Sequence, residues 1–206
     1  PYWEVRFDGV TPPSLKALDG GERVIYLSTF SKVLFPGLRL GFVVGPRPFL
    51  RPMVLAKQSA DLHASSLAQW LLDALLRGGQ MAEHGRHLRL EYRRRRDVMH
   101  AALVDAGVHD LVWKKPRGGF YLWCRLPAGA EGTRLVNAAA AAGVAFLPGR
   151  ACFCRDVEHE FIRLSFSYAP PAEIREGVTR LAEAIRRLAA TAPAPSRSEL
   201  GTSPVV

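Results

Sequence analysis

The sequence predicts an α/β fold followed by a smaller α+β unit, on three observations. Short apolar runs bounded by Pro and Gly are followed by helix-length segments, one long charged stretch carries apolar residues at helical spacing, and strands and helices resume beyond it. From Arg23, the run RVIYLSTF is rich in β-branched and aromatic residues and reads as a buried strand ahead of a turn at Pro36 and Gly37. RLGFVVG, Arg39 to Gly45, is the second strand, and the stretch from Pro48 to Arg77 is helical in composition. Between Met81 and Ala106, Leu88, Tyr92, Met99 and Leu103 recur at spacings of four, seven and four among Arg and Glu, which predicts one long amphipathic helix. After Gly107 come the strand-like LVWKK and GGFYLWCRL, a helix through TRLVNAAAAAG, and the strands VAFLPG and FIRLSFSY. A last helix runs from Pro171 to Leu188, with Pro in the first turn, where its missing N–H costs nothing. The expected division is 1–80 for the first domain, 81–190 for the linking helix and small domain, and 191–206, rich in Pro, Ser and Thr, for a disordered tail.

With 206 residues the chain can form one large or two modest domains, and 48% hydrophobic against 23% charged residues calls for a packed core. The apolar stretch from Ala138 to Phe146 falls far short of the roughly 20 residues of a membrane span. Nothing reads as a signal peptide, and a start at Pro1 rather than Met suggests a fragment or a processed product. Cys124, Cys152 and Cys154 match neither a disulfide framework nor paired zinc knuckles, so reduced thiols in a cytoplasmic protein are expected. A net charge of +9 suits anions, a phosphate cofactor and nucleic acid alike. The run Arg93 to Arg96 points in four directions on a helix and reads as a solvated face. The six histidines show no helical metal-binding pair, and no metal site is proposed.

The segment STFSKVLFPGLRLG, Ser28 to Gly41, concentrates hydroxyls, one Lys and one Arg around a strand end and a tight turn. A lysine partly shielded from water beside other cations loses its proton readily and can attack an aldehyde. The hydroxyls of Thr29 and Ser31, with the guanidinium of Arg39 returning after the turn, could surround a phosphate with donors, while Gly37 and Gly41 permit a sharp turn and close approach.

This segment resembles the cofactor-lysine signature of the fold type I, class I/II aminotransferases: Ser-x-Ser-Lys, a Pro-Gly turn, then Arg-x-Gly, with Thr29 in place of the first Ser. The resemblance extends over nearly the whole chain up to the tail. It implies the C-terminal part of that family's large domain, a mainly parallel sheet with helices, plus its small domain. It also implies pyridoxal 5'-phosphate joined to Lys32 as a Schiff base, with Thr29, Ser31 and Arg39 on the phosphate, Lys32 moving a proton from substrate Cα, and a homodimer acting on an amino acid and a 2-oxo acid.

Further along, FIRLSFSY places Arg163 in a strand between Ile162 and Leu164, and the resemblance assigns it the substrate α-carboxylate, which a guanidinium can bind through two parallel hydrogen bonds. At the start, PYWEVRFDG is similar to the segment whose Tyr hydrogen-bonds the cofactor's phenolic oxygen, which points to Tyr2. The Asp that pairs with the pyridine nitrogen three residues earlier in the family would precede Pro1. DLHASSLAQ lies near the subunit interface in related enzymes, making Ser65 and Ser66 candidates for the neighbouring subunit's phosphate site. PRGGFYLW is read as architectural, with Gly118 and Gly119 supplying a turn. The same segments also look like the aminotransferase-like sensor domain of GntR/MocR-type transcription regulators. On that reading nucleic acid is bound only by an upstream domain.

Overall fold

The structure, a computed structural model, describes residues 2–191. The tail expected after Thr191 lies outside the described residues. The chain divides into two compact units, one of Pro1–Arg94 with Arg117–Gly119, the other of Arg95–Pro116 with Phe120–Val206. The division falls inside the long helix, where the sequence had placed it at residue 80.

In the first unit a 3-10 turn, Trp3–Val5, precedes the short helix α1 (Leu15–Leu18), whose first turn Ser14 caps by accepting from the Ala17 N–H. Strand β1 (Tyr26–Thr29) pairs with β2 (Gly41–Val44) antiparallel, Thr29 opposite Gly41 and Ser28 opposite Phe42. The mainly parallel sheet expected for this unit is therefore not what its strands form, and every ladder among the described residues is antiparallel. The reason is the connection: Phe30 to Leu40 holds two 3-10 turns and no crossover helix, and a parallel pair needs a crossover. The strands are also less buried than their composition suggested, with Leu27 60% exposed.

The stretch read as mostly helical forms two helices: α2 (Arg47–Asp61), which buries no residue, ends at Leu62, whose φ is 63°, and α3 (Ser66–Arg77) follows. Ser65 then caps α3 by accepting from the Ala68 N–H. Leu40, Ala68 and Leu72 form the core of this unit, with Phe30, Leu34 and Leu38 packed on it.

Helix α4 (Gln80–Ala106) gives its first part to this unit and the remainder to the second. There β3 (Val112–Trp113), β4 (Tyr121–Arg125), β5 (Leu147–Pro148) and β6 (Phe161–Ser165) form an antiparallel sheet in the order β3-β4-β6-β5. Helix α5 (Gly132–Ala141) packs against α6 (Pro171–Thr191). The strand pleat sorts side chains: Leu122, Cys124, Ile162 and Leu164 are buried with Leu135, Ala139, Val178 and Leu181 of the helices. At about 1.5–3 kcal/mol for each fully buried large aliphatic side chain, this is the main apolar core of the chain.

Of the four consecutive arginines, Arg93 and Arg94 are exposed as a solvated face would be, but Arg95 is half-buried and Arg96 buried. Arg93 pairs with Asp8 at 3.3 Å and Arg94 with Glu91 at 2.9 Å, while Arg95 Nη1 donates to the Ser167 carbonyl at 2.7 Å. Arg96 is 2% exposed and donates to the Pro116 carbonyl, with its Nε 2.9 Å from Asp97. A helix spreads successive residues about 100° apart, so each guanidinium meets a different acceptor. Asp97 also takes the Lys115 ammonium at 2.8 Å. Partial burial works against its charge, but Lys115 and Arg96 outweigh it and hold the carboxyl below its usual range. No described helix is long and apolar enough to cross a membrane.

Candidate active site

Lys32 closes a 3-10 turn, Phe30–Lys32, that begins where β1 ends. Thr29 caps this turn: its Oγ1 accepts from the Ser31 N–H at 3.1 Å, lies 2.9 Å from the Ser31 hydroxyl and donates to the Leu40 carbonyl at 3.0 Å. The same carbonyl accepts from the Phe30 N–H at 3.1 Å, so one acceptor ties the lysine turn to the residue after Arg39. Gly41 is required by this closure, since a Cβ there would stand 2.9 Å from the Ser28 carbonyl oxygen. Phe42 packs on Phe30 at 5.3 Å between ring centres and fixes the turn from its other side.

The second turn, Pro36–Leu38, packs against the first and ends in Arg39, whose backbone is left-handed (φ 52°, ψ 33°). For a non-glycine residue this costs about 1 kcal/mol or more and is concentrated at functional sites. The exposed Arg39 guanidinium reaches only the Pro36 carbonyl, at 3.4 Å, and the half-buried Lys32 amine has no hydrogen bond or ion pair among the described residues. Ser28 Oγ is buried without a hydrogen-bond partner. The strand end therefore carries two cations without an acidic partner among the described residues, Lys32 and Arg39, and the paired hydroxyls of Thr29 and Ser31, while Ser28, one position earlier on the pleat, points to the opposite face of β1. The orphaned hydroxyl at Ser28 and the strained Arg39 were not foreseen: the first depends on burial and the second on φ, and neither has a signature in residue type.

Tyr2 is 40% exposed, and its carbonyl accepts from the Val5 N–H at 3.2 Å. The segment after it reaches the lysine turn, because Glu4 and Arg6 line a cleft of about 580 Å³ with Phe30, Val33, Arg86 and Arg89. Burial raises the Glu4 carboxyl above its ordinary range. Gly118 makes an isolated bridge to Arg6, and the Phe7 and Asp8 N–H groups both donate to the Arg117 carbonyl, so PRGG is architectural. Ser65 serves as the α3 cap described above, and Ser66 begins that helix.

Arg163, in the second unit, lies on β6 opposite Trp123 of β4 and Leu147 of β5. It is on the sheet face away from the core. Its Cζ stands 4.2 Å from the Tyr121 ring centre, its Nε is buried without a partner, and no described residue gives it a hydrogen bond or an ion pair. A half-buried guanidinium with a free fork of donors can receive a carboxylate.

The profile of the class I and II aminotransferases matches residues 6–181, and the chain belongs to that family. Among curated relatives, the aromatic-amino-acid aminotransferase 1 of Thermococcus litoralis is 41% identical over 187 residues, which are 90% of this chain and 45% of that protein. A crystal structure of Pyrococcus horikoshii kynurenine aminotransferase, in complex with PMP, superposes with a TM-score of 0.86 at 40% identity, covering 91% of this chain and 46% of that one. The HTH-type transcriptional regulator TauR of Rhodobacter capsulatus is 36% identical over 185 residues, 89% of this chain and 38% of the regulator. The chain thus spans less than half the length of these relatives.

Proposed function

We propose that this chain is part of a pyridoxal-phosphate-dependent aminotransferase that moves an amino group between an amino acid and a 2-oxo acid. The observation that carries the reading is the strand end where Lys32 and Arg39, both without acidic partners among the described residues, stand in one short segment with the paired hydroxyls of Thr29 and Ser31. A set of cations and hydroxyls with no carboxylate in it fits a phosphate dianion, and the amine beside it fits an aldehyde. When bound, pyridoxal phosphate supplies that aldehyde and a ring that accepts electrons. Thr29, Ser31 and Arg39 hold the phosphate, and Tyr2 is assigned the phenolic oxygen. Lys32 Nζ would hold the cofactor through its aldehyde and would take the proton from substrate Cα. Arg163 grips the substrate carboxylate through two hydrogen bonds, which fixes how the amino acid is presented.

The test is addition of pyridoxal phosphate to the intact protein carrying this chain. A visible absorbance band is expected, and borohydride reduction should leave a pyridoxyl adduct on the peptide containing Lys32. Lys32→Ala should abolish both, and a band surviving that substitution removes Lys32 from the role.

A homodimer in the cytoplasm belongs to the same proposal. Leu67 and Trp70, 74% and 73% exposed on α3 beside Ser65 and Ser66, support a covered surface there, which light scattering can measure. The identity to TauR supports a second reading, the ligand-sensing domain of a GntR/MocR-type regulator. That reading predicts cofactor binding at Lys32 without turnover of any amino acid, and DNA binding through residues outside this chain.

A further inference from the structure

We infer that Tyr121 is a positioning residue for Arg163, and that its ring decides whether the guanidinium is presented to a substrate carboxylate. The inference rests on the reading of Arg163 as the carboxylate anchor.

The register defines the choice open to Arg163. Directly opposite it on β4 is Trp123, with Tyr121 two residues toward one end of the strand and Arg125 two residues toward the other. Diagonal neighbours on a sheet face are within reach of long side chains, so the arginine could lean either way. Trp123 is already engaged: it stacks on Phe161 at 5.4 Å and 20° between ring planes, and Phe153 meets both rings at 5.7 and 5.6 Å. That aromatic block occupies the Arg125 end. The guanidinium lies instead over Tyr121, 4.2 Å from the ring centre.

A ring face binds the flat cation without using its N–H groups, which all lie in the guanidinium plane. Tyr121 therefore orients the fork while leaving the donors free, whereas a carboxylate in its place would occupy them. The buried, unpartnered Nε shows the consequence, because nothing else in the described structure holds Arg163 by a hydrogen bond.

The experiment uses the intact holoenzyme with Tyr121→Phe, Tyr121→Leu and Tyr121→Met, alongside Arg163→Lys. The two ring-free replacements guard against one failing to fold. Three quantities are read: KM and kcat for an amino acid, calorimetric affinity for the unreactive carboxylate 3-phenylpropanoate, and reactivity with 2-phenylethylamine, which lacks a carboxylate. Tyr121→Phe should stay within about twofold of the parent. The Leu and Met variants should weaken both KM and carboxylate affinity on the order of tenfold while changing kcat and amine reactivity far less. If they bind the carboxylate as the parent does while Arg163→Lys weakens it, the role of Tyr121 is overturned and that of Arg163 stands. If Arg163→Lys leaves carboxylate affinity unchanged, the reading of Arg163 itself fails.

Discussion

Replacing Arg96 by Met should destabilise the protein far more than the same change at Arg94, two residues earlier on the same helix. Met keeps most of the apolar stem, so the loss is electrostatic. The Pro116 carbonyl loses a charged donor in a site where the arginine is 2% exposed, worth about 1.5–3 kcal/mol. Asp97 is 42% exposed and keeps Lys115 at 2.8 Å, so its loss adds about 0.5–1 kcal/mol. The sum is about 2–4 kcal/mol. At about 2–4 °C per kcal/mol for a cooperative unit of this size, the melting temperature should fall by roughly 8 °C. The Arg94 side chain is 59% exposed and pairs with Glu91 one helical turn away, worth about 0.3–0.5 kcal/mol, or roughly 1–2 °C. Circular-dichroism melts of the two variants in one buffer make the comparison. Equal shifts would show that burial of Arg96 does not set its contribution, and the argument from the Pro116 carbonyl would be wrong.

Thr29→Ala should weaken pyridoxal phosphate binding in a fluorescence titration by about tenfold, since it removes both the turn cap and a hydroxyl, and Thr29→Ser should restore it. Gly149→Ala should cost about 1–3 kcal/mol in chemical denaturation, because the new Cβ would sit 2.5 Å from Phe161 Cβ and 2.7 Å from its carbonyl oxygen. His100 accepts a hydrogen bond from the Trp113 indole at 3.0 Å; burial first, then Lys115 and Arg96, lower its pKa, with Asp97 opposing. Its contribution to stability is therefore fully present above the unfolded value near 6.5 and is lost as pH falls through the lowered folded value. Denaturation midpoints measured downward from pH 7.5 should decline through this window and flatten in His100→Asn; an unchanged slope would assign the decline elsewhere. Burial pushes the Cys124 thiol up to about 12, so native protein should give two reactive thiols with a disulfide reagent, Cys152 and Cys154, and a third only on unfolding.

The sequence was informative wherever one short segment supplied the whole signal. Thr29, Ser31, Lys32 and Arg39 fall within a dozen residues, and their chemistry follows from type and order. Spacing located the long helix because it buries one face, and strand-like runs located the second-unit strands. Apolar runs look alike in parallel and antiparallel ladders, so the parallel sheet came from the resemblance; the short connection after Phe30, legible around Pro36 and Gly37, already called for an antiparallel pair. The solvated face expected of the arginine run holds for Arg93 and Arg94 but not for Arg95 and Arg96: residue type marks a charge, while their acceptors at Ser167 and Pro116 are set by the folded path. Tyr121 looked architectural because its value lies in a diagonal neighbour forty-two positions away in the chain.

Strand β6 interleaves two inventories, Ile162 and Leu164 inward, Phe161, Arg163 and Ser165 outward. A change at Arg163 or Ser165 can accordingly alter what the outer surface recognises while Ile162 and Leu164 keep their packing, whereas Phe161 is held by Trp123 and Phe153. Deleting a single residue ahead of Arg163 would exchange the two sets, driving a cation into the apolar layer and a methyl-rich side chain out of it. The strand therefore tolerates a change of chemistry at Arg163 far better than a change of length.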